Sequence, residues 1–276
     1  MPYIAVAEDN SGPIELYYED HGAGPAVVLV HGFASSARSW EEQVVALYRG
    51  GFRVIAYDRR GFGQSSKPAF GYDIDTLTTD LHALIATLEL HDLTLVGFGM
   101  GGGEVARYFG RYDGKGVRRA AFVSSITPTL SASPDNPGGI DENSYARMRA
   151  EIDTDRFAFA RGFIADVYNI GDTFDTNVSR DVLERDAAIA AAASPFALHA
   201  TVAASGEDFR VDLARIDVPT LVIHGDRDRI APVATTAGRM PGYLSDCTLT
   251  VLEGAPHGCV WTHAALVNAA LLQFLR

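Results

Sequence analysis

Cysteine is scarce in this chain of 276 residues: only Cys247 and Cys259 occur, with no Cys-x-x-Cys pair and no Cys/His ligand spacing. That argues against a disulfide framework and against a structural zinc site. Positive charge is also short. Lys and Arg number 23 against 35 Asp and Glu, a net charge of −12, which speaks against nucleic acid or an anionic membrane as the main partner. No apolar stretch approaches the roughly 20 residues of a membrane span. The opening Met1-Pro2-Tyr3-Ile4-Ala5 lacks the basic segment and apolar run of a secretory signal. The expectation is a soluble cytoplasmic protein. With 47% apolar and 21% charged residues it has enough apolar side chains for a sizeable core.

The apolar residues fall into short, nearly continuous runs: Val27–Val30, Val54–Tyr57, Leu93–Val96, Ala120–Val123 and Leu221–Ile223. Runs of this kind suit parallel strands buried on both faces. Helical patterns lie between them, at Trp40–Leu47, Ile74–Leu90 and Gly102–Tyr112. The alternation implies a parallel sheet with right-handed crossovers, an α/β fold. Tyr3–Glu8 and Ile14–Glu19 alternate as an antiparallel hairpin at one edge. Val251-Leu252 and a helix over Ala264–Leu275 close the other. From about Leu130 to Phe209 the pattern changes: a Ser/Pro/Asn/Gly-rich loop over Ser131–Gly139, then helices at Tyr145–Ile152, Arg156–Tyr168, Asp181–Ser194 and Phe196–Ser205. This stretch reads as a helical cap, so the expected division is a core of residues 1–130 and 210–276 with a cap of 131–209. Phe157, Phe159, Phe163, Tyr168 and Phe196 have the helical spacing of cap core.

Chemistry-bearing residues gather just after strands, where open parallel sheets collect their ligand and catalytic groups. His31-Gly32-Phe33 follows the first buried run; a glycine-containing loop there exposes backbone N–H groups. Gly225-Asp226-Arg227-Asp228 follows Leu221–His224, offering two carboxylates whose plainer use is a solvated turn or a helix cap near Pro232. Gly254-Ala255-Pro256-His257-Gly258 follows the last run, and a histidine between Pro and Gly in a loop is on no helix face. Between them Thr94–Glu104 reads as strand, tight turn and helix start. With serine at position 99 this would be Gly-x-Ser-x-Gly, the nucleophile elbow. Gly99 stands there instead.

Elbow, acid and histidine, in that chain order, follow the order of a hydrolase triad. The chain resembles the α/β-hydrolase family, in its bacterial cofactor-free haloperoxidase, perhydrolase and arylesterase branch. The resemblance rests on Val30-His31-Gly32-Phe33, Tyr57–Ser65, Gly97 with Met100–Arg107, Ile216–Leu221, His224-Gly225-Asp226 with Asp228, and Gly254–Gly258. It implies a mostly parallel sheet of about eight strands with helices on both faces and a helical cap. It also implies His257 as general base, Asp228 as its orienting acid, and the N–H groups of Phe33 and Met100 as oxyanion donors. Phe33, Ala34 and Phe98 would meet a small ester-like substrate. No metal and no organic cofactor is implied. Many haloperoxidase-type members carry proline where Ala34 stands, which departs from a perhydrolase pattern.

The family's serine falls on Gly99. Epoxide hydrolase or dehalogenase chemistry needs a carboxylate at that position, so glycine excludes it equally. Ser35, Ser36, Ser124, Ser125 and Cys259 are the neighbouring hydroxyls and thiol, none of them on the elbow. Gly97 to Gly102 also satisfies G-x-G-x-x-G, the dinucleotide fingerprint. That fingerprint requires an acid about 20 residues on, at the end of the next strand, where Ser124-Ser125-Ile126-Thr127 stands without a carboxylate. Three readings of Gly99 follow: an esterase of serine-hydrolase type that has lost its nucleophile; a natural non-covalent enzyme using His257 and Asp228 to activate water, abstract a proton, eliminate or cyclise; or a non-enzymatic ligand-binding protein on the same fold. The sequence leaves the oligomeric state open, a homo-oligomer included.

Overall fold

A computed structural model describes residues 2–171 and 178–276; residues 172–177 of the expected cap lie outside the described residues. The strands are β1 (Tyr3–Asp9), β2 (Gly12–His21), β3 (Ala26–Val30), β4 (Arg53–Tyr57), β5 (Leu93–Phe98), β6 (Val117–Val123), β7 (Thr220–Gly225) and β8 (Cys247–Leu252). The helices are α1 (Glu41–Arg49), α2 (Ile74–Thr87), α3 (Gly101–Tyr112), α4 (Glu142–Val167), α5 (Arg180–Ala191), α6 (Pro195–Ala204), α7 (Arg210–Leu213), α8 (Cys259–Thr262) and α9 (Ala264–Leu275). The strands form one sheet in the order β1-β2-β4-β3-β5-β6-β7-β8. β1 and β2 pair antiparallel, as does β2 with β4, and every later pair is parallel.

Period-two alternation sorts the buried strand residues between two layers. Val28, Val30, Ile55 and Leu95 face α2, α3 and α7. Val27, Leu29, Val54 and Val96 face α1, α8 and α9 around Trp40. β3 and β5 are buried along their whole length, as their unbroken apolar runs require. β8 begins at Cys247, four residues before the Val251-Leu252 run. Its Cys-Thr-Leu-Thr-Val alternation marks a half-exposed edge strand and carries a weaker apolar signal. No helix starts at Pro232; a short 3-10 turn at Ala237–Gly242 follows instead.

Between β6 and β7, α4 to α6 bury a third cluster that includes Tyr145, Ile152, Ile164 and Leu198 and closes on Ala34, Phe62 and Tyr72 of the sheet loops. α4 breaks at Asp155 (φ −156°, ψ 88°), whose carboxylate accepts the N–H groups of Phe157 and Ala158 at 3.0 Å each. The two expected helices thus meet end to end, the second capped by an acid. Thr129 and Asp208 bridge where the chain leaves and re-enters the sheet. Of the aromatic residues expected in the cap interior, Phe157 and Phe196 are exposed. Among the described residues no single helix is long and apolar enough to cross a membrane.

Arg60, in the loop after β4, grips Asp80 of α2 through two hydrogen bonds of 2.6 Å, both side chains buried. Removing one partner of such a pair strands the other charge. Asp80→Ala is expected to cost about 3–5 kcal/mol in urea unfolding at pH 7; a loss under about 1 kcal/mol, the range of an exposed pair, would remove this pair from the account of the loop.

Candidate active site

The carboxyl ends of β3, β5, β7 and β8 all open on the same side of the sheet, and each supplies one part of the site. The turn after β5 is the tightest. Gly99 adopts φ +53°, a left-handed conformation costly for a residue with Cβ. Its N–H donates to Val123 O at 3.0 Å and its carbonyl accepts from Ile126 N at 3.2 Å, so the end of β6 braces the turn on both sides. A Cβ at Gly97 would meet Gly101 O at 2.5 Å, and one at Gly101 would meet Val30 O at 2.4 Å. The G-x-G-x-x-G spacing therefore answers to close packing of the protein on itself.

An ideal Cβ at Gly99 would lie 3.1 Å from His257 Nε2. On its other side, His257 Nδ1 lies 2.8 Å from Asp228 Oδ2. Position 99, His257 and Asp228 thus stand in line. His257 projects from the turn after β8. That turn is tied down by Gly254 N donating to Asp226 Oδ1 at 2.7 Å and Gly258 N donating to Val167 O of α4 at 2.9 Å. The two acids of Asp226-x-Asp228 therefore divide their work: Asp226 anchors the histidine's loop and Asp228 faces the histidine.

Asp228 is buried, and its Oδ1 accepts from Ile230 N at 2.9 Å and Ala231 N at 2.7 Å. Burial alone would raise its pKa, but His257 and His224 outweigh that and hold the carboxyl well below the usual carboxylate range. His224 was missed in the sequence, where a histidine inside a buried strand end carries no loop signal. Its Nε2 lies 3.1 Å from Asp228 Oδ2 and 2.6 Å from Ala231 O.

Phe33 and Met100 line the same cavity as His257, and among the described residues neither backbone N–H has an acceptor in the protein. Met100 precedes the N-terminus of α3, where the helix dipole favours negative charge. Behind it lies a buried polar cluster: Glu104 pairs with the Arg59 guanidinium and accepts from Tyr57 OH at 3.1 Å, while Arg59 Nη1 approaches Met100 Sδ at 3.8 Å. His31 accepts the Arg59 N–H on Nε2 at 3.1 Å and is held well below its ordinary pKa by burial and by Arg59, so it serves as a neutral brace.

The cavity has a volume of about 770 Å³, within the range of small-molecule sites. Its apolar wall includes Ile126, Leu130, Phe159, Phe163 and Ile230; Arg147, Glu151, Asp155, Asp166 and Arg229 supply its charged groups. Phe33 meets Phe163 edge-on at 5.1 Å between ring centroids. Phe159 and Phe163 are thus cavity lining as well as cap packing. Ala34 and Phe98 line a separate recess of about 30 Å³ that also reaches His257, with Tyr168 and Trp261 in its wall. None of the neighbouring hydroxyls stands at position 99. Ser124 Oγ bonds Cys259 Sγ at 3.3 Å, Ser125 Oγ bonds Thr127 Oγ1 at 2.8 Å, and Ser36 caps the turn at Arg38. Burial pushes the Cys259 thiol up to about 12, which leaves it without the thiolate a nucleophile needs. Among the described residues no cluster of three or more His, Cys, Asp or Glu is placed to hold a metal ion.

Comparison with known proteins agrees with this architecture. The model of the α/β hydrolase fold family matches residues 25–264. The chain belongs to the α/β-hydrolase fold family. Within it, the chain groups with non-heme haloperoxidases and esterases. It is 44% identical over 276 residues to a Synechocystis sp. protein provisionally named a non-heme chloroperoxidase, covering 100% of both chains. Among solved structures it is similar to a bromoperoxidase from Bacillus anthracis (43% identity, TM-score 0.95, 99% of this chain and 98% of that one). It is also similar to an esterase from Exiguobacterium antarcticum (26% identity, TM-score 0.92, 100% and 99%).

Burial raises the Glu104 carboxyl from 4.5 to about 7, with Arg59 pulling the other way. The folded state then holds a proton that the unfolded chain releases above pH 4.5. The stability this contributes is full below about 4.5 and is lost as pH rises through about 7. Glu104→Gln, a neutral isostere of the protonated acid, is expected to flatten stability between pH 5 and 7.5, because no buried proton is then lost as the pH rises. Urea unfolding across that range checks it; an unchanged slope in the variant contradicts the assignment.

Proposed function

We propose that this chain is an esterase of serine-hydrolase type, haloperoxidase- and perhydrolase-like, whose covalent step is deleted at Gly99. The observation that carries the reading is the line from the Gly99 Cβ position through His257 to Asp228, at 3.1 and 2.8 Å. A serine hydroxyl there would attack the ester carbonyl as His257 Nε2 took its proton. Asp228 would hold the Nδ1–H and stabilise the imidazolium, and the Phe33 and Met100 N–H groups would receive the oxyanion. The alcohol would leave with the proton from His257, and water would release the acid from the acyl-enzyme. Residues 131–209 act as the cap that shapes the cavity, and the substrate is a small ester with no metal or organic cofactor. A cytoplasmic location accords with the sequence.

In the chain as it stands this sequence of bonds has no first member. Loss of a triad nucleophile costs about 10⁶-fold in kcat, leaving about 10³–10⁴-fold over water from the remaining site. One observation favours a second use of that remainder. His257 Nε2 stands nearer to the Gly99 Cβ position than ordinary van der Waals contact, so the ring already reaches toward the place of a serine side chain. From there it is placed to take a proton from water or from a substrate C–H.

Gly99→Ser is expected to raise hydrolysis of short-chain nitrophenyl esters by at least about 10³-fold, and adding His257→Ala to abolish the gain. No gain in a folded variant would sink the esterase reading. The second reading has its own check: any turnover shown by the unsubstituted chain must vanish on His257→Ala, and survival of that turnover excludes His257 as its base.

A further inference from the structure

We propose that His224 is a positioning residue for the Asp228–His257 pair, holding the carboxylate in register and taking a share of the oxygen that faces His257. The proposal rests on the role given to that pair above. Nε2 of His224 lies within hydrogen-bond reach of two oxygens, Asp228 Oδ2 at 3.1 Å and Ala231 O at 2.6 Å. An ionised carboxylate and a carbonyl only accept, so this nitrogen carries the hydrogen. Its Nδ1 is buried with no hydrogen-bond partner among the described residues. The ring is therefore held as the Nε2–H tautomer.

A buried ring nitrogen without a partner is a cost that a leucine in the same space would avoid. The compensation lies at the other nitrogen. Asp228 Oδ1 is fixed by the N–H groups of Ile230 and Ala231 and Oδ2 by the His257 Nδ1–H at 2.8 Å, while the single His224 Nε2–H lies between Ala231 O at 2.6 Å and Asp228 Oδ2 at 3.1 Å. With donors on both oxygens the carboxylate cannot rotate without breaking a bond. The two imidazole donors also divide the charge on Oδ2, so His224 moderates the pull of Asp228 on His257. β7 supplies the rigidity, since His224 is its last residue but one and wholly buried.

The titratable groups around Asp228 are His257, His224 and Cys259; the charged groups of the cavity that holds His257 are Arg147, Glu151, Asp155, Asp166 and Arg229. Those five remain when His224 is replaced, so a changed pH response reports on His224 itself.

The test begins with the unsubstituted chain labelled with ¹⁵N-histidine. NMR is expected to show His224 as the Nε2–H tautomer, and an Nδ1–H tautomer overturns the proposal because that form cannot donate to Asp228. His224→Leu is then expected to move the His257 Nδ1–H resonance downfield, and His224→Gln, which keeps an N–H donor, to restore it. In a Gly99→Ser background, His224→Leu should shift the acidic limb of the kcat/KM profile up by about 0.5–1 pH unit. An unchanged resonance and profile in folded His224→Leu would make the ring mere packing. If His224→Leu fails to fold, the tautomer and the Gln variant's resonance decide. Failure of the esterase reading shows separately, as inactivity of Gly99→Ser with the NMR results intact.

Discussion

The site depends on a backbone that must leave β5 and enter α3 within two residues. Only a left-handed residue at position 99 turns the chain that sharply, and only glycine at 97 and 101 lets the turn close against its own carbonyls and those of β3. The closure has two consequences. It carries position 99 over the end of the sheet toward His257, and it sets the N-terminus of α3 beside the loop after β3, so that Met100 and Phe33 line one wall. Glycine at 99 adopts this left-handed conformation without a Cβ penalty, so the turn carries no strain there.

Asp228 and His257 are held independently of position 99. Asp228 keeps its charge in a buried place because two backbone N–H groups and two imidazoles surround it. The histidine's loop is fastened from below by Asp226 and from above by the end of α4. A pair held this way needs no side chain at position 99 to stay aligned. The apolar cavity lowers the local dielectric around the pair and strengthens each of these contacts.

Much of this was legible in the sequence, for physical reasons. Strands buried on both faces write themselves as unbroken apolar runs, so β3 to β7 were readable, and the break of α4 at Asp155 appeared as two helical patterns. A histidine between Pro256 and Gly258 has no place in a helix or strand, which singled out His257. What escaped was written in three dimensions only. The exposed edge strand β8 alternates too weakly to show its first half. His224 hides in a buried strand, and its value appears only when Ala231 and Asp228 fold back onto it. Helical spacing places Phe157, Phe159 and Phe163 on one segment but cannot say that the first points to solvent and the other two into the cavity.

The central claim is that everything for acyl transfer except the nucleophile is in place. The most direct measurement is intact-protein and peptide mass spectrometry after exposure to an organophosphonate ester, comparing the chain with its Gly99→Ser variant. The account predicts a single stoichiometric adduct on the variant, within the peptide that contains position 99, and none on the unsubstituted chain. An unlabelled folded variant, or an adduct on the unsubstituted chain at another residue, would contradict it.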